Sequence, residues 1–139
     1  DKFTQNAFWV NLSTKLNIEK EKNFKKVKLE SKLIIETDFS TSFLENISLN
    51  IPTILLPNYH MQSFDNTVKR DCKKLFDVNI CYSDSKSAAK FIMEIRDNID
   101  EWWFSKEVQE EVSIFREKYA RYSKNPVLEL KNIINNLSS

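Results

Sequence analysis

The chain contains no glycine in 139 residues, although glycine makes up roughly 7% of an average protein. Two nucleotide-binding loops depend on glycine for tight turns and close approach of the backbone to phosphate. The Walker loop and the glycine-rich dinucleotide fingerprint are therefore excluded. Asn50 follows an apolar helical stripe, and we expect it to end that helix, because asparagine tolerates the left-handed conformation.

The charge balance argues against a partner that is bound through a broad cationic field. The net charge is +1, from 21 basic and 20 acidic residues, so neither nucleic acid nor an anionic membrane would be attracted strongly. Lysines cluster between Lys20 and Lys32, but glutamates are interleaved with them, which indicates a solvated face. Hydrophobic residues make up 41% and charged residues 29%, a balance typical of one folded domain with a single core.

The sequence indicates no metal site and no cofactor. Cys72 and Cys81 are the only cysteines, and their spacing is not that of a CxxC motif. The single histidine, His60, adds nothing to a set of metal ligands. We expect both cysteines to be reduced and to act as small hydrophobic residues inside the cell. No run of eighteen apolar residues is present, so no transmembrane segment is predicted.

Short apolar runs alternate with helical stripes from Lys32 onward. Residues 33–36, 53–56 and 79–82 are predicted to be parallel strands of one small sheet. A helical pattern over residues 63–76 separates the second and third strands, and another over residues 87–99 follows the third. Two more helices are predicted after it, with apolar stripes at residues 108–122 and 127–137. Asn125 and Pro126 are a typical helix start. The sequence therefore predicts an α/β fold, a Rossmann-like parallel sheet flanked by helices, with the C-terminal helices packing back.

The domain organisation follows the same change in pattern. Residues 1–31 form a poorly defined N-terminal segment, which we interpret as the end of a truncated region. Residues 32–139 form the Rossmann-like domain. Because the chain does not begin with methionine, we interpret it as a piece of a longer protein.

The stretch after the first predicted strand is the candidate ligand site. In open α/β sheets, ligands bind beyond the carboxyl ends of the strands, and a helix start there offers free N–H groups to a phosphate. Ser40, Thr41 and Ser42 can add hydroxyl donors, and Glu45 can accept hydrogen bonds from ribose hydroxyls. The alternative is that Ser42 and Glu45 form a capping box that only satisfies the amides of the helix.

Other residues near this edge also carry two interpretations. Asp38 can line the site or can cap the turn. His60 follows the second strand and is either a catalytic candidate or a polar loop residue. Trp102 and Trp103 can form a sugar-stacking platform, but their place between two helices favours a clamp with at least one buried ring.

The region from Thr37 to Pro57 resembles the nucleotide-binding half of GT-B glycosyltransferases, and the chain is similar to the C-terminal part of a bacterial family of surface-carbohydrate transferases. The resemblance covers roughly residues 33–137. It depends on an ordered set of short motifs: Ser40-Thr41, Phe43-Leu44-Glu45, Asn50-Ile51-Pro52-Thr53, Ser87-Ala88-Ala89, Trp102-Trp103, Val108-Gln109, Lys118-Tyr119-Ala120-Arg121 and Ser123-Lys124-Asn125-Pro126. Two departures stand out, because relatives tend to have glycine where this chain has Asn79, and a tryptophan-containing stretch where it has residues 57–61.

This resemblance implies half of a GT-B fold that binds a nucleotide-sugar donor for transfer to a glycan or lipid-linked acceptor during surface polysaccharide biosynthesis. It implies that Glu45 meets the ribose and that no metal is essential. A missing N-terminal domain would bind the acceptor, and the protein would be cytoplasmic or peripheral to the inner membrane. Two alternatives stay open: a non-enzymatic Rossmann-like interaction module, or a polyol-phosphate or sialyl-type transferase on the same fold.

Overall fold

The computed structural model describes residues 23–56 and 64–137. The chain divides into two compact units, Asp1–Glu30 and Ser31–Ser139. Within the described part of the first unit, one helix, α1 (Phe24–Glu30), buries no residue. The Asn23 side chain begins it by accepting a hydrogen bond from the Lys26 N–H at 3.2 Å. The predicted site falls in the second unit.

The second unit is built on a small parallel sheet. Strand β1 (Ile34–Glu36) pairs in parallel with β2 (Thr53–Leu55), with Glu36 opposite Leu55, and helix α2 (Thr41–Ser48) connects them. This confirms the predicted parallel pair. The third predicted strand is reduced to a single parallel bridge between Leu55 and Cys81. The segment is short because Asn79 before it is left-handed, with φ 63°, and Asp84 after it already caps the next helix.

Five helices follow β2 in the described chain: α3 (Asn66–Asp77), α4 (Ser85–Ile95), α5 (Ile99–Trp103), α6 (Lys106–Tyr119) and α7 (Pro126–Leu137). Side chains cap four of their starts: Asp65 accepts from Thr67 N–H at 2.7 Å, Asp84 from Ser87 N–H at 2.8 Å, Ser105 from Val108 N–H at 3.4 Å and Asn125 from Leu128 N–H at 3.4 Å. The helix predicted over residues 87–99 ends at Ile95, and a separate helix, α5, begins at Ile99. The second unit is α/β and mostly helical, with a small two-stranded parallel sheet, which is compatible with the predicted Rossmann-like fold.

The core lies between the sheet and helix α6. It includes Phe43 and Ile47 from α2, Leu75 from α3, and Val112 and Phe115 from α6. Helix α6 packs against α2, α3 and α5, which buries Val108, Val112 and Phe115 of the predicted stripe. The last residue of that stripe, Tyr122, lies beyond the end of α6 and is 70% exposed. All three residues of β2 are buried, whereas Ile35 of β1 is half-exposed, which makes β2 the central strand and β1 an edge among the described residues.

The two tryptophans hold the junction of α5 and α6. Trp103 is fully buried, and its ring meets that of Trp102 with centroids 5.4 Å apart. Trp102 packs edge-on against Phe91 and donates its indole N–H to the carbonyl of Val78 at 3.1 Å. The predicted clamp with one buried ring is confirmed, and this geometry disfavours an open sugar-stacking platform.

Asn50 joins the turn after α2 to this junction. Its backbone is left-handed, with φ 55°, as predicted from the sequence. The Asn50 side-chain oxygen accepts from the Trp103 indole at 3.1 Å and from the Gln109 amide at 3.2 Å, and its NH₂ donates to the Gln109 carbonyl oxygen at 3.1 Å. One asparagine therefore reverses the chain and ties α2 to α5 and α6.

Helix α7 differs from the expectation that the C-terminal helices pack back. It begins at Pro126 with Asn125 accepting from Leu128 N–H at 3.4 Å, as predicted, but it buries no residue. Its apolar residues are all more than half exposed: Val127, Leu128, Leu130, Ile133, Ile134 and Leu137. Its apolar stripe arises from local spacing alone, which does not specify what covers it. None of the helices in the described ranges is long and apolar enough to cross a membrane.

Charged side chains complete the contact between α3 and α6. Asp71 of α3 pairs with the Lys118 ammonium and accepts a hydrogen bond from the Tyr119 hydroxyl at 2.7 Å. These two hydrogen bonds lower the pKa of the Asp71 carboxyl below its ordinary value of 3.8. Lys74 and Glu111 form a second pair at 3.7 Å. The rim of this helix pair is therefore ionic around an apolar centre.

A matched pair of substitutions tests the Asn50 network. Asn50→Gly keeps a residue suited to φ 55° but removes three side-chain hydrogen bonds, so the free energy of unfolding should fall by about 1–3 kcal/mol. Asn79→Gly is the control, because Asn79 is also left-handed and its side chain bonds, among the described residues, to the Tyr82 hydroxyl alone, at 2.9 Å. Urea unfolding of both variants measures the difference. Equal losses in the two variants would mean that the network adds nothing beyond the turn.

Acid should weaken the α3–α6 contact through Asp71. Because the folded-state pKa is lowered, the stabilisation is fully present above about pH 5 and is lost as the pH falls through 3.8 toward the folded value. Asp71→Asn should therefore reduce the free energy of unfolding at pH 7 and flatten its decline in acid. Asp97→Asn is a control of equal charge change at a side chain that is 82% exposed. An acid limb in Asp71→Asn as steep as in the wild type would contradict this assignment.

Candidate functional site

The candidate site lies where β1 ends and α2 begins. Ser40 is the N-cap of α2, with an extended backbone at φ −120° and ψ 174°, and its side chain makes no capping hydrogen bond. The first bond of the helix runs from Leu44 N–H to the Ser40 carbonyl at 3.2 Å. The amides before Leu44 therefore have no carbonyl partner within the helix, and the helix begins just after the carboxyl end of β1.

The alternative capping box has the wrong register. A box of Ser42 and Glu45 needs Ser42 at the N-cap, but Ser42 is the second residue inside the helix. Its hydroxyl instead donates to Glu36 Oε1 at 2.6 Å. The N-cap is Ser40, two residues before Ser42. The Ser42 hydroxyl therefore bonds to the end of β1 and does not act as the N-cap of α2.

The four predicted site residues do not share one face. Thr41 and Glu45 are one turn apart and both exposed, Ser40 is half-exposed at the helix start, and Ser42 points to the sheet at Glu36. The structure therefore brings Ser40, Thr41 and Glu45 to the outer side of the edge, with Ser42 beneath them. Their predicted role in binding a nucleotide stays a prediction.

Phe39 anchors the turn that carries these residues. Its ring contacts Phe43 at 5.3 Å, Phe64 at 5.2 Å and Phe115 at 6.1 Å between centroids. The neighbouring Asp38 is exposed, and its backbone carbonyl accepts from Ser40 N–H at 3.0 Å. The aromatic contacts fix the backbone of the turn, so the polar side chains on either side of Phe39 occupy defined positions.

The last predicted candidate, His60, cannot be placed, and two other polar residues near this edge are poor candidates. His60 and the whole stretch of residues 57–63 lie outside the described residues. Asp84 is committed to its helix, since the Ser87 N–H lowers the pKa of its carboxyl. Burial raises the pKa of Tyr82 to about 12, so its side chain is a neutral phenol at neutral pH and is not available as a base.

The two cysteines do not fit a nucleophile or metal ligand. Both are buried and free, and burial raises the pKa of Cys72 to about 11 and that of Cys81 well above its ordinary value. A thiol needs a lowered pKa to react as a thiolate. Across residues 23–56 and 64–137, no group of three His, Cys, Asp or Glu side chains could hold a metal ion.

Two polar residues of this edge were missed by the sequence reasoning. Asn46 is fully buried on the sheet-facing side of α2, and its NH₂ donates to Glu36 Oε1 at 2.9 Å. Glu36 is the last residue of β1, and its Oε1 accepts hydrogen bonds from both Ser42 and Asn46. The available signal was the four-residue spacing of Ser42 and Asn46, which interrupts a face that is otherwise apolar at Phe43 and Ile47.

The chain was compared with protein families, curated proteins and solved structures. No curated protein and no solved structure matches it. The family model described as LIC12162 family transferase matches residues 1–134 of the 139, which includes both units and every candidate residue named above. On that match the chain belongs to the LIC12162 family of transferases.

Proposed function

We propose that residues 32–139 form the donor-binding part of a glycosyltransferase that uses a nucleotide sugar in surface polysaccharide biosynthesis. The observation that carries the proposal is the hydroxyl-rich start of α2 at the carboxyl edge of a parallel strand pair, in a chain that belongs to a transferase family. Parallel sheets bind ligands at this edge. The absence of glycine rules out a Walker loop, so phosphate binding would depend on helix amides and hydroxyl groups.

The roles of the residues follow from their positions. The amides at the start of α2, with the Ser40 and Thr41 hydroxyls, would bind the pyrophosphate, since the partial positive charge of a helix N-terminus stabilises an anion. Glu45 lies one turn further along the same exposed face as Thr41 and would accept the ribose hydroxyls. Stabilising the departing nucleoside diphosphate in this way lowers the barrier to sugar transfer without a metal.

The proposal places the acceptor and the rest of the catalytic machinery in another part of the full protein. The acceptor would be a glycan or a lipid-linked glycan. The reaction would take place in the cytoplasm or at the inner membrane surface. Donor binding and transfer can therefore be tested separately.

Glu45→Gln in the full protein tests the ribose contact. A carboxylate forms charge-assisted hydrogen bonds roughly twice as strong as neutral ones, so the amide should weaken nucleotide binding about tenfold or more. The melting temperature should stay nearly constant, because Glu45 is exposed. Calorimetry with UDP, GDP, CDP and CMP identifies the nucleotide and measures its affinity, and Thr41→Val tests the hydroxyl at the helix start.

Glu110→Gln provides the matched control. Its side chain is 62% exposed on α6, and the substitution changes the net charge by the same amount away from the site. Nucleotide affinity should be unchanged in this variant. If Glu45→Gln binds as tightly as Glu110→Gln, Glu45 is not a ligand of the donor. If the wild type binds none of the four nucleotides, donor binding itself is wrong and an interaction module becomes the better description.

A further inference from the structure

Asn46 is a buried polar residue that a purely structural role does not explain. It is 0% exposed, and among the described residues its side-chain oxygen has no hydrogen-bond partner. An unsatisfied buried acceptor costs about 1–3 kcal/mol. Its neighbours on the same helix face, Phe43 and Ile47, are apolar and fully buried, so a leucine of similar size would suit this position better.

The other end of the Asn46 amide is bonded to Glu36. The Nδ2 group donates to Glu36 Oε1 at 2.9 Å, and the Ser42 hydroxyl donates to the same oxygen at 2.6 Å. The Glu36 backbone is fixed as well, because its carbonyl accepts from Leu56 N–H at 2.8 Å. Glu36 is therefore held in place both through its backbone carbonyl and through Oε1 of its carboxylate.

The second oxygen of Glu36 is available. Oε2 accepts no hydrogen bond from the described residues, and it is not among their buried unsatisfied atoms. It belongs to the last residue of β1, directly before the turn that leads to α2. A carboxylate with one oxygen saturated and the other open is preorganised to accept a hydrogen bond from a ligand.

We propose that Glu36 is a ligand-binding carboxylate, positioned by Asn46 and Ser42, whose Oε2 accepts a hydroxyl group of the nucleotide-sugar donor. This inference rests on the proposed function and adds a second acceptor, below the exposed Thr41 and Glu45. Asn46 is then a positioning residue. Its NH₂ orients Glu36, and its unbonded oxygen lowers the stability of the fold as a consequence. The hydroxyl could belong to the ribose or to the transferred sugar.

Glu36→Gln in the full protein removes the open acceptor and the negative charge while keeping the side-chain shape. The glutamine carbonyl oxygen can still accept from Ser42 and Asn46, which leaves an NH₂ group where Oε2 was. We expect the melting temperature to stay close to that of the wild type and affinity for the bound nucleotide sugar to fall tenfold or more by calorimetry with UDP-glucose and GDP-mannose. Glu110→Gln again controls for the change in charge.

Asn46→Leu separates positioning from structure. It removes the orphaned oxygen and the bond that orients Glu36, while keeping the side-chain size. If the hydrogen bond from Asn46 to Glu36 served only to stabilise the fold, this substitution would lower the melting temperature and leave ligand binding by the folded protein unchanged. The proposal expects the reverse, an equal or higher melting temperature with weaker binding, so a lower melting temperature with intact binding contradicts it.

The source of the hydroxyl is found by comparing ligands. If it is the ribose 2′-hydroxyl, the wild type should bind UDP more tightly than 2′-deoxy-UDP, or GDP more tightly than 2′-deoxy-GDP, and Glu36→Gln should abolish that preference. If it is a sugar hydroxyl, the substitution should instead abolish the preference for UDP-glucose over UDP, or for GDP-mannose over GDP. Either result supports the inference. Wild-type affinities for all these ligands in Glu36→Gln would overturn it and leave the proposed function standing, whereas a wild type that binds none of them rejects both.

Discussion

The hydrogen bonds of Asn50 hold together the parts on which the candidate site depends. Asn50 ends α2, and its side chain bonds to Trp103 and Gln109, more than fifty residues further along the chain. The α2–β2 turn is thereby fixed to the α5–α6 junction, and α6 also packs against α2. Because α2 is only eight residues long, its direction is set by these contacts rather than by its own stability. Contacts at the C-terminal end of α2 consequently fix the position of its N-terminal end at the carboxyl edge of the sheet.

Local patterns in the sequence predicted the elements whose ends are defined by a single residue. The left-handed Asn50, the start of α7 at Pro126 and the parallel pairing of β1 with β2 were all predicted and confirmed. The third strand was not, because Asn79 and the capping residue Asp84 leave room for only one bridge. The position of α7 was also wrong: an apolar stripe shows that a helix has a face to bury, but not whether the fold supplies a surface for it.

The place of the candidate residues in the fold could be predicted from the sequence, but their internal arrangement could not. Residues 40–45 were predicted to follow the first strand at the carboxyl edge of the sheet, and they do, whereas ligand binding at that edge stays a prediction. The contact of Glu36 with Asn46 joins residues ten positions apart on two different elements, and no spacing rule connects them. The capping box was wrong for the same reason, since the Ser42 hydroxyl has a tertiary partner that competes with the helix amides.

The absence of glycine also affects the chain before it folds. Glycine gives the unfolded ensemble its most flexible links, and replacing it where the native backbone allows stabilises a protein by about 0.4–1 kcal/mol per site, through the unfolded state alone. Within residues 23–56 and 64–137, asparagine fills both left-handed positions, with φ 55° and 63°. The unfolded chain therefore has less conformational entropy to lose than one of average composition. A sheet with strands of only three residues has correspondingly less disorder to overcome when it forms.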